Sequence, residues 1–176
     1  MAENQTNSAI FPLAAALVLG TATIAGAWFF QLVIGLVPCP MCFNQRWPYY
    51  IGLPIVLIAL WMIKNSNRNI ALVCIAAAAV LFFGNGVYAA YHSGVEWRLW
   101  AGPAGCSGGQ DLSASVGNLL ADLKTAKVVS CVDAAWRFLG LSLAGYNVII
   151  STVLGILCGV AFFRLKNSQG SSSISQ

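Results

Sequence analysis

Four long apolar segments constrain the fold of this chain more than any other feature of its sequence. They cover approximately residues 10–37, 47–63, 70–91 and 141–163, and none of them contains an acidic or basic side chain. A helix of about 20 apolar residues is long enough to cross the hydrocarbon core of a bilayer. We therefore predict an all-α membrane protein that folds as a bundle of four transmembrane helices.

The composition agrees with a membrane protein and excludes several other classes. Of the 176 residues, 59% are hydrophobic and only 8% are charged, whereas a soluble domain has about 25% charged residues. The net charge of +4 comes from few side chains and no basic run, so no nucleic-acid partner is expected. We predict a single domain over residues 1–166 and a disordered polar tail over residues 167–176.

The first apolar segment has an alternative interpretation as a secretory signal peptide. The string TIAGA resembles a small-residue cleavage site. However, the preceding residues MAENQTNS contain an acidic residue and no basic one, and the apolar run is longer than such a peptide needs. We therefore favour a transmembrane helix for this segment.

The distribution of cysteines indicates which side of the membrane each linker faces. With four spans, both termini share one side, and the linkers over residues 35–46 and 92–140 share the other. Four of the six cysteines lie in these two linkers: Cys39, Cys42, Cys106 and Cys131. Paired cysteines are stable as disulfides in the periplasm, and the basic strings KNSNRN and FFRLKN favour cytoplasmic termini. We predict a multi-pass membrane protein with both termini in the cytoplasm, whose paired cysteines face an oxidising compartment, which in a bacterium is the periplasm.

The string PCPMCFNQR, residues 38–46, contains the first cysteine pair. Because proline is tolerated in the first helical turn, a helix can begin here. We then expect Cys42 to lie near the helix N-terminus, where the helix dipole stabilises a thiolate. The spacing of Cys39, Cys42 and Arg46 places both sulfurs and the guanidinium on one helical face. A charge at this depth predicts a functional site.

Plainer interpretations of this string are a metal site, a structural disulfide and a lipid contact. A zinc site needs about four ligands, but the chain has a single histidine and its second cysteine pair is 25 residues apart. We therefore expect no metal. A static disulfide, and an Arg46 side chain that reaches lipid phosphate, remain open on the residues alone.

The second cysteine pair lies in the longer outer linker. Cys106 is surrounded by glycines, and Cys131 precedes the last apolar segment. A bond between them would restrict the unfolded chain, whereas the mobile glycine-rich setting would expose Cys106 to another protein's thiolate. Between them, the string DLSASVGNLLADLKTAK has a 3.6-residue apolar period. It predicts a short periplasmic amphipathic helix that lies on the outer leaflet and tethers the loop near the first cysteine pair, with a plain packing helix as the alternative.

Four strings in this order and topology resemble the disulfide bond formation protein B (DsbB) family of bacterial inner-membrane thiol oxidases. They are PCPMCFNQR, YHSGVEW, GPAGC and WRFLGL. The resemblance covers most of the chain. This chain differs from the better-known members of the family in having two extra cysteines, Cys74 and Cys158, and a glycine-rich sequence around Cys106.

By position, this resemblance implies a protein-disulfide oxidoreductase with four catalytic cysteines. A reduced periplasmic thiol oxidase resembling DsbA would attack a Cys106–Cys131 disulfide, and Cys106 would form the mixed disulfide. Cys131 would then attack Cys39 and release Cys42 as a thiolate. Cys42, assisted by Arg46, would pass the electrons to a membrane quinone, either ubiquinone or menaquinone.

Two further features of the sequence bear on the quinone and on the extra cysteines. His92 follows the third apolar segment, where its imidazole is predicted to hydrogen-bond a quinone oxygen. The alternative is an interfacial anchor, and Gln45 is a weaker candidate for the same contact. Cys74 and Cys158 lie within apolar segments and are interpreted as buried apolar residues outside the electron path.

Two other functions are compatible with the residues. A relative of vitamin K epoxide reductase would also combine a four-helix bundle with a membrane CxxC motif. A tetraspan structural protein would carry inert disulfides and bind no quinone. The position of Arg46 and the string WRFLGL favour the thiol oxidase.

Overall fold

A computed structural model of the protein describes residues 2–103 and 130–167, with side chains from residue 8 onward. The helices in these ranges are α1 (Ala2–Leu32), α2 (Pro40–Asn44), α3 (Trp47–Lys64), α4 (Arg68–Glu96) and α5 (Leu143–Asn167). Before α5 the chain forms an antiparallel hairpin of β1 (Arg137–Phe138) and β2 (Leu141–Ser142). The predicted amphipathic helix of the outer loop lies outside the described residues, as does nearly all of the predicted disordered tail.

Four helical stretches are long and apolar enough to cross a membrane, which confirms the predicted number of spans. They are Ser8–Leu32, Pro40–Lys64, Arg68–Glu96 and Leu143–Asn167. Each contains most or all of one predicted apolar segment, since the length of an apolar run is a local property of the sequence.

The hairpin before α5 is an addition to the predicted all-α fold. Its two central residues, Leu139 and Gly140, have φ values of 49° and 82°. Two positive φ values in succession match the twist of a two-residue hairpin turn. The hairpin directs Trp136 and Phe138 back toward the bundle.

The four spans form a closed ring in the order α1, α5, α4, α3. Small residues permit close approach of the helices. A Cβ atom at Gly52 of α3 would lie 2.8 Å from the ring of Phe82, and one at Gly155 of α5 would lie 2.9 Å from the ring of Phe83. Of the adjacent pairs in the ring, α1 and α3 contact each other least.

The outer surface of the bundle is apolar on all four spans. The exposed large side chains include Phe11, Val18, Leu57, Trp61, Val73, Val80, Ile156 and Phe163. An apolar surface of this extent is typical of contact with lipid rather than with water.

Buried polar side chains collect in one half of the bundle, around the start of α3, the end of α4 and the start of α5. They are Gln45, Arg46, Asn85, His92, Glu96, Ser142 and Ser151. Buried polar groups require hydrogen-bond partners, and polar side chains inside membrane spans are candidates for function. This half of the bundle is therefore the place to look for the functional site.

Candidate active site

The first cysteine pair lies at the start of α2. Cys39 is the N-cap, with φ −68° and ψ 163°, and its Sγ accepts a hydrogen bond from the Cys42 backbone N–H at 3.1 Å. Pro40 occupies the first helical position and has no N–H. Cys42 lies in the first turn of α2, as predicted. The predicted stabilisation of a Cys42 thiolate by the helix N-terminus was wrong, because the Cys42 backbone N–H donates to the Cys39 sulfur instead.

The surroundings of Cys39 favour its thiolate form. The side chain is only 4% exposed, and its Sγ lies 3.6 Å from His92 Nε2. The hydrogen bond from the Cys42 side chain lowers the pKa of Cys39 most, burial opposes that effect, and the hydrogen bond from His92 lowers the pKa further, to about 5. Cys39 is therefore the more acidic candidate of the two sulfurs.

This pKa predicts how the reduced protein titrates. Because the folded protein lowers the pKa of Cys39 to about 5, its thiolate should persist on acidification until pH falls through that region. An ordinary cysteine, with a pKa of about 8.5, is already protonated there. The measurement is the difference in thiolate ultraviolet absorbance between the reduced protein and its Cys39→Ser variant as a function of pH. A difference that titrates near the ordinary value would contradict the assignment.

Cys131 joins the first pair in a small buried cluster. It is 1% exposed and packs with Cys39 and Met41, with Cys42 and Tyr88 at the edge of the cluster. Cys131 is disulfide-bonded, whereas Cys39 and Cys42 are free. The structure therefore brings together three of the four predicted catalytic cysteines.

The fourth predicted catalytic cysteine, Cys106, lies outside the described residues. Its predicted bond to Cys131 therefore stays a prediction. The two extra cysteines are free and belong to a different part of the molecule. Cys158 is fully buried in the main apolar core, and the half-buried Cys74 packs against that core. Both positions fit the predicted role of plain apolar residues.

An apolar cavity of about 460 Å³ adjoins the cysteine pair. It lies between α1, the start of α3, the hairpin and the start of α5. Its aromatic wall includes Trp136, whose ring lies 5.1 Å from that of Phe30 and stacks on that of Phe138 at 5.7 Å. The polar lining comprises Thr23, Gln31, Cys42, Gln45, Arg46, Tyr49, Tyr146 and Asn147. Large apolar pockets with a few convergent polar groups are typical of small-molecule sites.

Arg46 supplies the positive charge of this cavity. Its guanidinium is buried and donates from Nη1 to Gln31 Oε1 at 2.6 Å and from Nη2 to the Ala27 carbonyl at 3.4 Å. Its Cζ also lies 5.5 Å from the centre of the Trp28 ring. Within residues 8–103 and 130–167, no carboxylate lies within ion-pair distance of it. The side chain is therefore held by α1 rather than extended to lipid, and none of the described carboxylates neutralises its charge.

His92 lies beside Cys39, near the end of α4. It is 1% exposed, with Nε2 toward Cys39 and Nδ1 2.7 Å from Gln45 Nε2. Among the described residues it does not line the cavity. Its predicted contact with a quinone therefore lacks geometric support. Gln45, the weaker candidate, is the side chain that touches both His92 and the cavity.

Five of the polar residues that line the cavity were not selected from the sequence: Thr23, Gln31, Tyr49, Tyr146 and Asn147. Gln31 binds Arg46, and Tyr49 donates its hydroxyl to Asn147 Oδ1 at 2.6 Å. A signal was available for Gln31 and Asn147, because polar side chains in apolar spans are functional candidates by default. Tyr49 carried no such signal, since tyrosine is common near membrane interfaces.

The sulfurs of Cys39 and Cys42 and a ring nitrogen of His92 lie within 4.8 Å of one another. A closed structural zinc site needs about four ligands, so this group is one short. The amide nitrogen of Gln45 can only donate, and it faces His92 Nδ1. The ring proton is then on Nε2, the nitrogen that faces Cys39, whereas a metal-binding nitrogen must be unprotonated. The hydrogen bonds fit a thiolate acceptor better than a metal.

Comparison with known proteins finds similarity to one named family. A family model described as disulfide bond formation protein DsbB matches residues 9–161. Disulfide bond formation protein B of Marinobacter nauticus is 32% identical over 76% of this chain and 80% of its own length. That of Polaromonas naphthalenivorans is 27% identical over 87% and 91%, respectively. An uncharacterized protein of Rickettsia prowazekii is 24% identical over 83% of each chain. No solved structure matches.

Proposed function

The chain belongs to the disulfide bond formation protein B family of membrane proteins, and from this premise we propose that it is a thiol:quinone oxidoreductase. It reoxidises a periplasmic DsbA-like dithiol protein and passes the electrons to a membrane quinone, either ubiquinone or menaquinone. One observation carries the proposal: the Cys42 thiol and the Arg46 guanidinium line the same apolar cavity.

The proposed location is the bacterial inner membrane, with both termini in the cytoplasm. Basic side chains mark one end of the bundle: Lys64 and Arg68 flank the short α3–α4 turn, and Arg164 and Lys166 lie in the last turn of α5. Short basic segments favour the cytoplasmic side. The thiol site is at the opposite end of the bundle, which supports the proposal that its cysteines face the periplasm.

The lining of the cavity fits a quinone headgroup. A quinone, when bound, accepts two electrons and two protons. Phe30 and Trp136 provide flat apolar surfaces for a ring, and Arg46 provides a cation for an oxygen that gains negative charge. The hydroxyl of Tyr49 and the amide of Asn147 supply further polar contacts at the same wall.

The proposed electron path runs from Cys131 through the first cysteine pair. The thiolate of Cys131 attacks Cys39 in a Cys39–Cys42 disulfide, forming a Cys39–Cys131 bond and releasing Cys42 as a thiolate. The buried contact between Cys131 and Cys39 supports this step. When the Cys39–Cys42 bond forms again from two thiols, two electrons and two protons leave the pair. Arg46 stabilises negative charge beside Cys42 while this occurs.

The test is direct reduction of quinone by the purified protein. The assay combines the membrane protein, a reduced DsbA-like thiol protein and either ubiquinone or menaquinone, and follows quinone absorbance. We expect reduction that requires both the thiol donor and the membrane protein. Absence of reduction with either quinone would contradict the proposal and support an inert, disulfide-stapled tetraspan protein.

Replacement of Arg46 tests the proposed acceptor site. In Arg46→Ala the disulfides should still form, but the KM for quinone should rise about tenfold or more. The reason is that a hydrogen bond to a charged group contributes about 1.5–3 kcal/mol. The matched control is Arg98→Ala, because the Arg98 side chain is 77% exposed and pairs with Asp133, whose side chain is 78% exposed. An unchanged KM in Arg46→Ala would remove Arg46 from the quinone site.

A further inference from the structure

We propose that Gln45 and Asn147 are positioning residues that hold His92 in the tautomer whose Nε2–H points at Cys39. In this arrangement the negative charge of the reduced cysteine pair is held on Cys39. The hydrogen-bond geometry stands by itself, but the consequence for turnover rests on the proposed function.

The orientation of the Asn147 amide is set by hydroxyl groups in the bundle. Tyr49 donates to Asn147 Oδ1 at 2.6 Å, and Ser151 donates to the same oxygen at 3.2 Å. Asn85 Nδ2 donates to Ser151 Oγ at 2.9 Å, so the Ser151 hydrogen is directed elsewhere. Two donors converge on Oδ1, which leaves Asn147 Nδ2 to face Gln45.

The Asn147 amide in turn orients Gln45, and Gln45 determines the tautomer of His92. Asn147 Nδ2 donates to Gln45 Oε1 at 2.7 Å. The opposite end of the Gln45 amide, Nε2, lies 2.7 Å from His92 Nδ1. An amide nitrogen has hydrogens and no acceptor capacity, so Nδ1 must accept. A neutral His92 ring therefore carries its hydrogen on Nε2.

The Nε2–H group lies closest to Cys39. The distance from Nε2 to Cys39 Sγ is 3.6 Å, and that from Nε2 to Glu96 Oε1 is 4.0 Å. The same sulfur accepts the Cys42 backbone N–H at 3.1 Å. Hydrogen bonds to a thiolate stabilise the charged form. Two N–H donors from different helices thus converge on one sulfur of the pair.

Other titratable or redox-active side chains approach Cys39 from each of the neighbouring elements. Cys42 faces it from α2, and Cys131 faces it from the segment before the hairpin. Glu96 approaches from α4, where its Oε2 has no hydrogen-bond partner among the described residues. Arg137 of the hairpin donates from Nη2 to the Glu96 backbone carbonyl at 3.4 Å. Glu96 is therefore the group that competes with Cys39 for the Nε2–H of His92.

The charge on Cys39 matters when the Cys39–Cys131 disulfide is resolved. The Cys106 thiolate attacks the Cys131 sulfur, a Cys106–Cys131 bond forms and the Cys39–Cys131 bond breaks. The electron pair stays on Cys39 Sγ, beside the Nε2–H of His92, and no net oxidation occurs. A leaving thiol of lower pKa leaves faster. The hydrogen-bond chain thus favours release of Cys39 rather than reversal of the exchange.

Nitrogen NMR of the reduced protein tests the tautomer directly. His92 is the only histidine in the chain, so protein labelled with ¹⁵N-histidine gives one pair of ring signals. We expect a protonated Nε2 and an unprotonated Nδ1 in the wild type. Gln45→Met keeps the side-chain length and removes the donor, and Asn147→Leu removes its orienting partner. Both should shift the ring toward the Nδ1–H tautomer.

Asn44→Met is the matched control. Asn44 precedes Gln45, and its exposed amide donates to the Tyr88 hydroxyl at 3.5 Å. Its spectrum should be that of the wild type. A wild-type ring protonated on Nδ1, or a Gln45→Met spectrum identical to the wild type, would overturn the inference.

Titration of Cys39 supplies a second readout that simple packing damage would not reproduce. Gln45→Met should raise the pKa of Cys39 by about one unit, because one hydrogen bond to the thiolate is weakened. Gln45→Glu should keep the low value, because a carboxylate beside Nδ1 favours the imidazolium, which retains Nε2–H. An unchanged pKa in Gln45→Met would overturn the inference. The protein could show the expected spectra and titrations and yet reduce no quinone. That result would support the inference about the His92 tautomer and overturn the proposed function.

Discussion

Cys42→Ser is expected to lower the rate of quinone reduction by about a thousandfold or more, as removal of a reacting nucleophile does. Cys42 is the sulfur that lines the cavity, whereas Cys39 does not. A serine hydroxyl at this position cannot form a disulfide with Cys39 or release electrons by forming one. The rate is measured from quinone absorbance with a reduced DsbA-like donor.

The same variant should accumulate a trapped intermediate. Cys131 packs on Cys39, so the Cys39 thiolate can attack the Cys131 sulfur of the proposed Cys106–Cys131 disulfide, which forms a Cys39–Cys131 bond and releases Cys106 as a thiolate. Without Cys42, nothing within the first pair can displace Cys131 from Cys39. Proteolysis under non-reducing conditions followed by mass spectrometry should therefore find Cys39 linked to Cys131. A double variant, Cys74→Ala with Cys158→Ala, is the control and should turn over like the wild type, since both residues belong to the main apolar core. A Cys42→Ser protein that still reduces quinone at the normal rate would show that the electrons leave by another route.

Gly26→Leu is expected to raise the KM for quinone by about tenfold or more while leaving the fold intact. Gly26 lies in α1 and lines the cavity, and a Cβ atom at this position would meet no other atom within 4 Å. The leucine side chain therefore enters open space in the cavity rather than a packed interface. A helix-interior glycine costs about 0.8–1 kcal/mol relative to alanine, and leucine is close to alanine, so helix propensity favours the variant.

Gly84→Leu provides the matched control for cavity filling. Gly84 lies in α4, a Cβ atom there also meets nothing within 4 Å, and the residue does not line the cavity. Its KM for quinone should be that of the wild type. Thermal unfolding of both variants separates a filled cavity from a misfolded bundle. A normal KM in a well-folded Gly26→Leu protein would mean that the acceptor binds elsewhere.

Local sequence predicted the four spans correctly, but the prediction of which cysteine is stabilised by the start of α2 was wrong. The four spans follow from unbroken apolar runs, which are a property of consecutive residues. The position of the helix start was also readable, because proline at the first helical position makes the preceding residue, Cys39, the N-cap. The prediction instead used only the general nearness of Cys42 to the helix start, and so it assigned the stabilised thiolate to the wrong sulfur.

The hydrogen-bond partners of Arg46 and His92 could not be predicted from local sequence. Gln31 and Arg46 are 15 residues apart, and Gln45 and His92 are 47 apart. Such contacts depend on the order of the helices around the ring and on the rotation of each helix about its axis. A rotation of His92 toward the cavity would have satisfied the sequence pattern equally well.

Three properties were predictable from local sequence: the number of spans, the closeness of Cys39, Cys42 and Arg46 in one short stretch, and the likeness to the family. Each of these depends on residues close together in the chain or on their order along it. Three arrangements depend on the tertiary structure: Cys131 packs on Cys39, Cys42 rather than Cys39 lines the cavity, and His92 faces the Cys39 sulfur. Those arrangements arise because side-chain packing between helices selects one rotation of each helix, and the hydrophobic pattern alone does not specify it.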